Sequence, residues 1–338
     1  MSLETMNWLN TNTLIGFTEK RGNAWHYRAE EQGEQSNHYV GAVPVPDVLR
    51  RLFHWQAVEG TITATHMGEE GVITTTDANR KAIMRNDTGA ILGIFKSGYL
   101  VHQFDEWLLD SVSNLLDDDL QIGSAGLLKG GAVAWVSVEV PESITTPSGV
   151  EFRPNLLAAT SMDGSLATTF QRCITNVVCD NTMSAALRED SAGQSLKIRH
   201  SKYSHLKLQS AREALAIVHT VADDFTRQVE ELTNTTVTDT QWQSFLNSLV
   251  PVPAEDGRGK TMADNKQAAL KTLYDNDSRC NPWRGTAYGV LQTVNTFEHH
   301  VKGVQKNKRA ERNMMRAVKG EIDTLDISTM KTLATILA

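Results

Sequence analysis

Two stretches of this chain concentrate side chains that bind anions. Ser195 to Arg212 holds Lys197, Arg199, Lys202, Lys207 and Arg212 without an acid, and interleaves His200, Tyr203 and His205. Val301 to Gly320 holds seven bases against Glu311 alone, a net of +6. The whole chain carries −7, so the chain outside this second stretch is near −13. Such asymmetry makes local anion-binding surfaces, and phosphate backbones bind them with release of counterions. An exposed aromatic beside the bases, Tyr203 or Trp135, would add a stacking platform of the kind single-strand binders use. The candidate nucleic-acid contacts are Lys197, Arg199, His200, Lys202 and Tyr203 on the first segment, and Lys308, Arg309 and Arg312 on the second. The competing reading is a solvated basic helix that docks on the acidic helix at 104–119 of a neighbouring subunit.

Other chemistries fit the residues less well. Ala254-Glu255-Asp256-Gly257-Arg258-Gly259-Lys260-Thr261 is a relaxed phosphate-binding loop, with Ala in place of the first Gly. Such a loop must follow a buried strand, whereas Leu249-Val250-Pro251-Val252-Pro253 ends a helix, and Glu255 and Asp256 would repel a triphosphate. A solvated linker is expected there. Glu298-His299-His300 does not make a metal site, because adjacent histidines on a helix diverge by about 100° and zinc prefers spacing i, i+4. His200 and His205 would need a loop to converge. Asp117-Asp118-Asp119 and Asp223-Asp224 are consecutive, whereas nuclease carboxylates come from separate elements and converge on a metal. Ile122-Gly123-Ser124-Ala125-Gly126 lacks the spacing of a nucleophile elbow, and its glycines suit close packing. No catalytic residue, metal or cofactor is assigned.

The elements that must carry these residues change character near residue 200. Before it, β-branched runs at Gln56–His66 and Val72–Thr76 precede a hairpin of Lys81–Asn86 and Ala90–Lys96 about Asp87-Thr88-Gly89. Phe104, Trp107, Leu108, Val112, Leu115 and Leu116 recur at helical spacing. Ala132 to Val140 alternates as a strand, with Trp135, Ser137 and Glu139 on one face. Ser161-Met162-Asp163-Gly164-Ser165 turns Leu156–Ser161 into the run Leu166–Cys179, and Asp180 is placed to cap a helix over Asn181–Arg188. From His205 the period is helical: one long helix through Leu208 to Leu232, a second capped by Asp239, and others near 262–275, 286–301, 306–319 and 326–337, the last capped by Asp326. The fold class expected is α+β, a β-rich N-terminal part with a central antiparallel sheet and an α-helical C-terminal part. Domains are expected at 1–200 and 201–338.

Composition is that of an ordinary globular chain: 338 residues, 40% apolar, 22% charged and 31 Gly plus Pro, which excludes collagen-like and low-complexity classes. Met1 to Trp8 has no basic and apolar regions of a secretory signal, and no apolar run is long enough to span a bilayer. Cys173, Cys179 and Cys280 are odd in number and lack a C-x-x-C spacing. Cys173 and Cys179 would lie about 20 Å apart along a strand, too far for a disulfide. A reduced, cytoplasmic chain without membrane contact is expected.

Several segments resemble a phage/plasmid-like family of unknown function, found in actinobacterial phages and mobile elements. They are Ile15-Gly16-Phe17-Thr18, Gly22-Asn23-Ala24-Trp25-His26, Ile122-Gly123-Ser124-Ala125-Gly126, Thr160-Ser161-Met162-Asp163-Gly164-Ser165, Val178-Cys179-Asp180-Asn181-Thr182, Pro282-Trp283-Arg284-Gly285-Thr286-Ala287 and His299-His300. The resemblance spans residues 6 to about 303 and implies a phage or mobile-element origin, inside a bacterial host; it does not imply a catalytic residue. Residues 130–190 also look like the hairpin-strand-helix core of single-strand annealing proteins. Together these readings lead to an expectation of a non-catalytic phage DNA-binding protein, oligomeric, that binds or anneals single-stranded DNA in replication or recombination. The alternatives are a self-assembling or host-interaction protein without nucleic-acid affinity, and a metal-dependent nucleic-acid-processing enzyme.

Overall fold

A computed structural model describes residues 10–22, 27, 29–32, 34–113, 116, 120–140, 143–176, 181–184, 195–201, 218–303 and 309–338. The fold is α+β, with antiparallel sheets in the N-terminal half and helices in the C-terminal part. The chain divides into two compact units. The first comprises Met1–Pro141, Leu156–Gln171 and Ser195–Ile217, and the second Glu142–Asn155, Arg172–Gln194 and Val218–Ala338.

In the first unit β1 (Thr13–Ile15) pairs with β5 (Gln121–Leu128), which pairs with β6 (Val133–Glu139). The order continues through β8 (Glu151–Ser161) to β9 (Thr168–Asn176), and β11 (Ser195–Ile198) lies antiparallel on the first half of β9. Strand β6 is buried on both faces except at Ser137, so its alternation does not divide core from solvent. The glycines of β5 make that possible. A Cβ on Gly123 would fall 1.3 Å from Glu139 Oε1, and one on Gly126 would fall 2.9 Å from the Trp135 ring. Each glycine clears the space that a large neighbour on β6 occupies.

A second sheet consists of β2 (Ala57–Gly68), β3 (Gly71–Arg85) and β4 (Ile91–Lys96), in that order. The turn expected at Asp87–Gly89 joins β3 to β4, with Gly89 at φ 69°. Helix α1 (Val45–Arg51) starts with Pro46 in its first turn and buries Val48. Further on, the amphipathic pattern forms a shorter helix than its spacing suggests, wound as π over Asp105–Leu109 and as α over Asp110–Ser113. The Asp117–Asp119 run lies outside the described residues.

In the second unit β7 (Ile144–Thr145) pairs with the start of β8, and β10 (Asn181–Ser184) pairs with the end of β9, Asn181 opposite Asn176. This corrects the helix expected from Asn181. Its first turn is a strand because the edge of β9 offers ladder partners to the backbone groups of alternate residues, which outweighs weak local helix preference. The cap assigned to Asp180 falls outside the described residues. Helices follow as α2 (Val218–Asn234), α3 (Asp239–Leu249), α4 (Arg258–Asn276), α5 (Ala287–Thr296), α6 (Arg309–Lys319) and α7 (Glu321–Leu337). The part of the long helix expected at 208–217 is outside the described residues.

Thr238, not Asp239, caps α3. Its hydroxyl accepts from Gln241 N–H while the Gln241 side chain accepts from Thr238 N–H, a reciprocal arrangement worth about 1 kcal/mol. Asp326 is likewise no cap. It lies inside α7, 1% exposed, and accepts a hydrogen bond from Asn295 Nδ2 at 3.0 Å. The core gathers Trp242, Phe245, Leu246, Leu270, Tyr274 and Val290, with a second cluster of Phe152, Phe225, Trp283, Tyr288 and Leu291. Each such side chain contributes about 2 kcal/mol of burial. Cys173 and Cys280 are buried, and burial pushes both thiols above their usual range.

Candidate functional site

In the first unit five rings stack into a column. Phe95, on β4, lies 3.8 Å from Tyr99, which lies 4.9 Å from His200. His200 lies 3.8 Å from His102, which lies 3.6 Å from Trp107, and all four interplanar angles are 17° or less. The π turn of Asp105–Leu109 carries Trp107 beneath His102. His102 and Trp107 are buried, whereas Phe95, Tyr99 and His200 are half-buried. The column therefore runs from the core to the surface.

A hydrogen-bonded chain fixes the direction of each proton along it. His200 Nδ1 lies 3.0 Å from Leu100 O, an acceptor only, so Nδ1 donates. Burial holds the His200 imidazole down at about 4, so the ring is neutral and Nε2 accepts from Thr160 Oγ1 at 3.1 Å. Thr160 has then used its proton, and accepts from Thr168 Oγ1 at 2.8 Å. Thr168 in turn accepts from His102 Nδ1 at 2.5 Å. Strand β8 supplies Thr160 and β9 supplies Thr168, so the hairpin at Ser161–Ser165 sets the spacing of the relay. The column's outer end is set by glycine: a Cβ on Gly93 or Gly164 would lie 2.6 or 3.0 Å from the Phe95 ring.

Basic side chains border the exposed part of the column. Lys197 and Arg199 are exposed on and just after β11, two residues apart and hence on one side of an extended chain, and Arg199 immediately precedes His200. At the other end Lys96 follows Phe95 and is exposed, with Arg80 opposite it in the β3–β4 register. Of the residues expected to contact nucleic acid, the structure thus brings Lys197 and Arg199 to the surface beside His200. Both nitrogens of His200 are engaged within the fold and its two faces are taken by Tyr99 and His102, so the ring offers neither a phosphate donor nor an open stacking face. Lys202 and Tyr203 lie outside the described residues. Trp135, the other ring considered for stacking, is 4% exposed. Phe95, Tyr99 and Lys96 had no distinguishing mark in the sequence; only a base next to an aromatic at the end of a strand pointed to them.

The second basic segment is placed differently. Arg312 donates to the backbone carbonyl of Glu298, and Arg309 to that of Lys302 at 3.3 Å. These carbonyls belong to the π-wound turn Phe297–Val301 that ends α5 and to the residue after it. Glu298 itself, 5% exposed, accepts from Lys302 at 2.7 Å and Arg316 at 3.2 Å. Cations suit the electronegative end of a helix, and here they are drawn to it. Arg309 and Arg312 thus have internal partners, and Lys308 is outside the described residues. His299 is also inward: Nδ1 donates to Asn295 O at 2.9 Å, and burial lowers the imidazole to about 4. Among the described residues, no three His, Cys, Asp or Glu side chains converge to hold a metal ion. The relaxed phosphate-loop segment opens α4 directly from a polar turn, and Lys260 pairs with Asp256 at 2.7 Å.

No helix among the described residues is long and apolar enough to cross a membrane. The sequence profile of a family described as Domain of unknown function (DUF932) matches residues 91–319, about two thirds of the chain. No curated protein and no solved structure matches.

Proposed function

The chain belongs to the DUF932 family, and from its surface we propose that it is a non-enzymatic protein that binds single-stranded DNA on the first unit. The carrying observation is the half-buried column of Phe95, Tyr99 and His200, whose terminal ring Phe95 keeps one face that no other ring of the column takes, bordered by Lys96 at one end and by Lys197 and Arg199 at the other. Bases stack on exposed rings for about 1–3 kcal/mol each, without needing a particular sequence. Phosphates on either side of a stacked base would meet the three cations. A duplex hides its base faces, so the arrangement favours single strands. The phage setting implied by the resemblance gives such an activity a place in replication or recombination. The strand at Asn181–Ser184 removes the start of the helix on which the annealing-core resemblance rested, so the proposal concerns binding and not annealing. Arg309 and Arg312 are left out of the surface, because both already hold carbonyl groups.

The test is fluorescence anisotropy with labelled single-stranded and duplex oligonucleotides, titrated with salt. Three phosphate contacts give a log–log salt slope near −2, at about −0.7 per contact for single strands. K197Q/R199Q is expected to weaken binding at least tenfold at low salt and to flatten the slope by about 1.4. Y99A is expected to weaken binding with the slope retained. Absence of single-strand binding at low salt, or affinity unchanged in both variants, overturns the reading.

A further inference from the structure

We propose that strand β2 is a self-pairing edge, through which two copies of this chain join their three-stranded sheets antiparallel about a two-fold axis at Thr63. Beyond the bulge at Ala78–Arg80, β2 and β3 form a two-stranded arm over Ile62–Gly68 and Gly71–Asp77. Both faces of that arm are exposed along nearly its whole length, and Met67 and Val72 near its tip are 78% and 66% exposed. A two-stranded ribbon with no packed face is marginal by itself. Strand β2 is also the outer strand of its sheet.

The free edge can be read residue by residue. Ala57 turns its backbone groups outward, where the Gln103 amide pairs with both: Ala57 N donates to Gln103 Oε1 at 3.0 Å, and Gln103 Nε2 donates to Ala57 O at 2.9 Å. A side chain here stands in for a neighbouring strand, and among the described residues it does so at the first residue only. The irregularity beyond belongs to β3, which places Ala78–Arg80 between the partners of Thr61 and Ile62, so β2 keeps its alternation. Glu59, Thr61, Thr63, Thr65 and Met67 therefore turn their N–H and C=O groups the same way as Ala57. Natural edges of this length are guarded by lysine, proline or a bulge. Strand β2 has none of these.

Two features select a second copy, antiparallel, as the occupant. The first is charge. Residues 62–77 carry Glu69, Glu70 and Asp77 with no Lys or Arg, while the base of the arm carries Arg80, Lys81 and Arg85 against Glu59 and Asp87, which pair with Lys81 and Arg85, and so keeps a small positive excess. Antiparallel pairing lays each acidic tip along the basic base of the other arm, whereas parallel pairing would set tip against tip. The same acidic tip repels nucleic acid. The second is the row itself. With the axis at Thr63, Thr61 faces Thr65 of the second copy and Thr63 faces its own equivalent, and Thr–Thr pairs are favourable across strands. Thr65 and Thr74 already form such a contact within the arm, at 3.4 Å. Glu59 faces Met67, so no like charges meet. Pairs from Glu59 to Met67 each exchange two bonds, about ten in all, in an isologous interface that closes on itself.

Sedimentation velocity of the full chain at micromolar concentration tests the proposal. The wild type is expected to be a dimer, or a larger assembly built from dimers. T63P removes an outward N–H that the β2–β3 ladder does not use, and T63K sets two lysines face to face on the axis. Both are expected to halve the mass, with an unchanged circular dichroism spectrum and melting temperature. T61K/T65K is expected to be monomeric, while T61K/T65E restores the dimer through opposite charges in that register. T63K and the paired variants change only exposed side chains, so they decide the matter if T63P misfolds. A monomeric wild type, or an assembly that survives T63K, overturns the proposal, as does equal behaviour of the two paired variants.

Discussion

Acidification should loosen the ring column through His200. Its imidazole is neutral in the folded chain, held at about 4 by burial against an ordinary value of 6.5. The unfolded chain therefore takes up a proton first as pH falls. A lowered folded value on a base means that the contribution is complete above about pH 6.5 and is lost progressively between there and pH 4. From those two values the loss at pH 5.0 comes to about 2 kcal/mol. Solvent reaching the exposed part of the ring trims this to about 1–2 kcal/mol. Protonation would also reverse the relay locally, since Nε2 would become a donor facing Thr160. Hydrogen exchange read by mass spectrometry reports the local opening energy of peptides covering residues 98–107 and 160–170. After correction for intrinsic rates, protection there is expected to fall about 5- to 30-fold from pH 7.5 to pH 5.0. In H200Q the amide cannot titrate, so this fall should largely vanish even if protection at pH 7.5 is lower. Equal protection of the wild type at both pH values would refute the neutral, donating assignment of His200, and with it the direction of the relay.

Three further outcomes follow from other contacts. E298A leaves Arg316, among the described residues, with Glu321 at 3.6 Å and removes the partner of Lys302, so a loss of about 2–3 kcal/mol is expected from urea unfolding; a change under about 0.5 kcal/mol would class these as ordinary surface pairs. G289A places a Cβ 2.1 Å from the backbone oxygen of Trp283, which cannot swing aside, and should cost more than about 3 kcal/mol, or prevent folding. G123A must expel the Glu139 carboxylate and should cost about 1–3 kcal/mol, while G98A, which meets nothing within 4 Å, should be neutral in the same thermal melts. Similar melting of G98A and G123A would show that Glu139 is not seated on Gly123.

Elements whose cause is local were legible in the residues. The turn at Asp87–Gly89, the hairpin at Ser161–Ser165 and the helix through Trp242 and Phe245 all carry their own signals, in turn chemistry and in periods of 2 and 3.6. The concentration of bases at Lys197–Arg199 and at Arg309–Arg316 was equally plain, and so was the α+β division. Tertiary structure decided what those residues face. Asn181–Ser184 became a strand because β9 had an unpaired edge to offer, and Asp326 was withdrawn from a capping role by Asn295. Arg312 turned inward to the end of α5, while Lys197 and Arg199 stayed at the surface. His200 met Tyr99 and His102 from about a hundred residues earlier in the chain. Propensity and periodicity act over a few residues, but a side chain's partner depends on which distant element packs beside it, and that pairing leaves no mark in the local sequence.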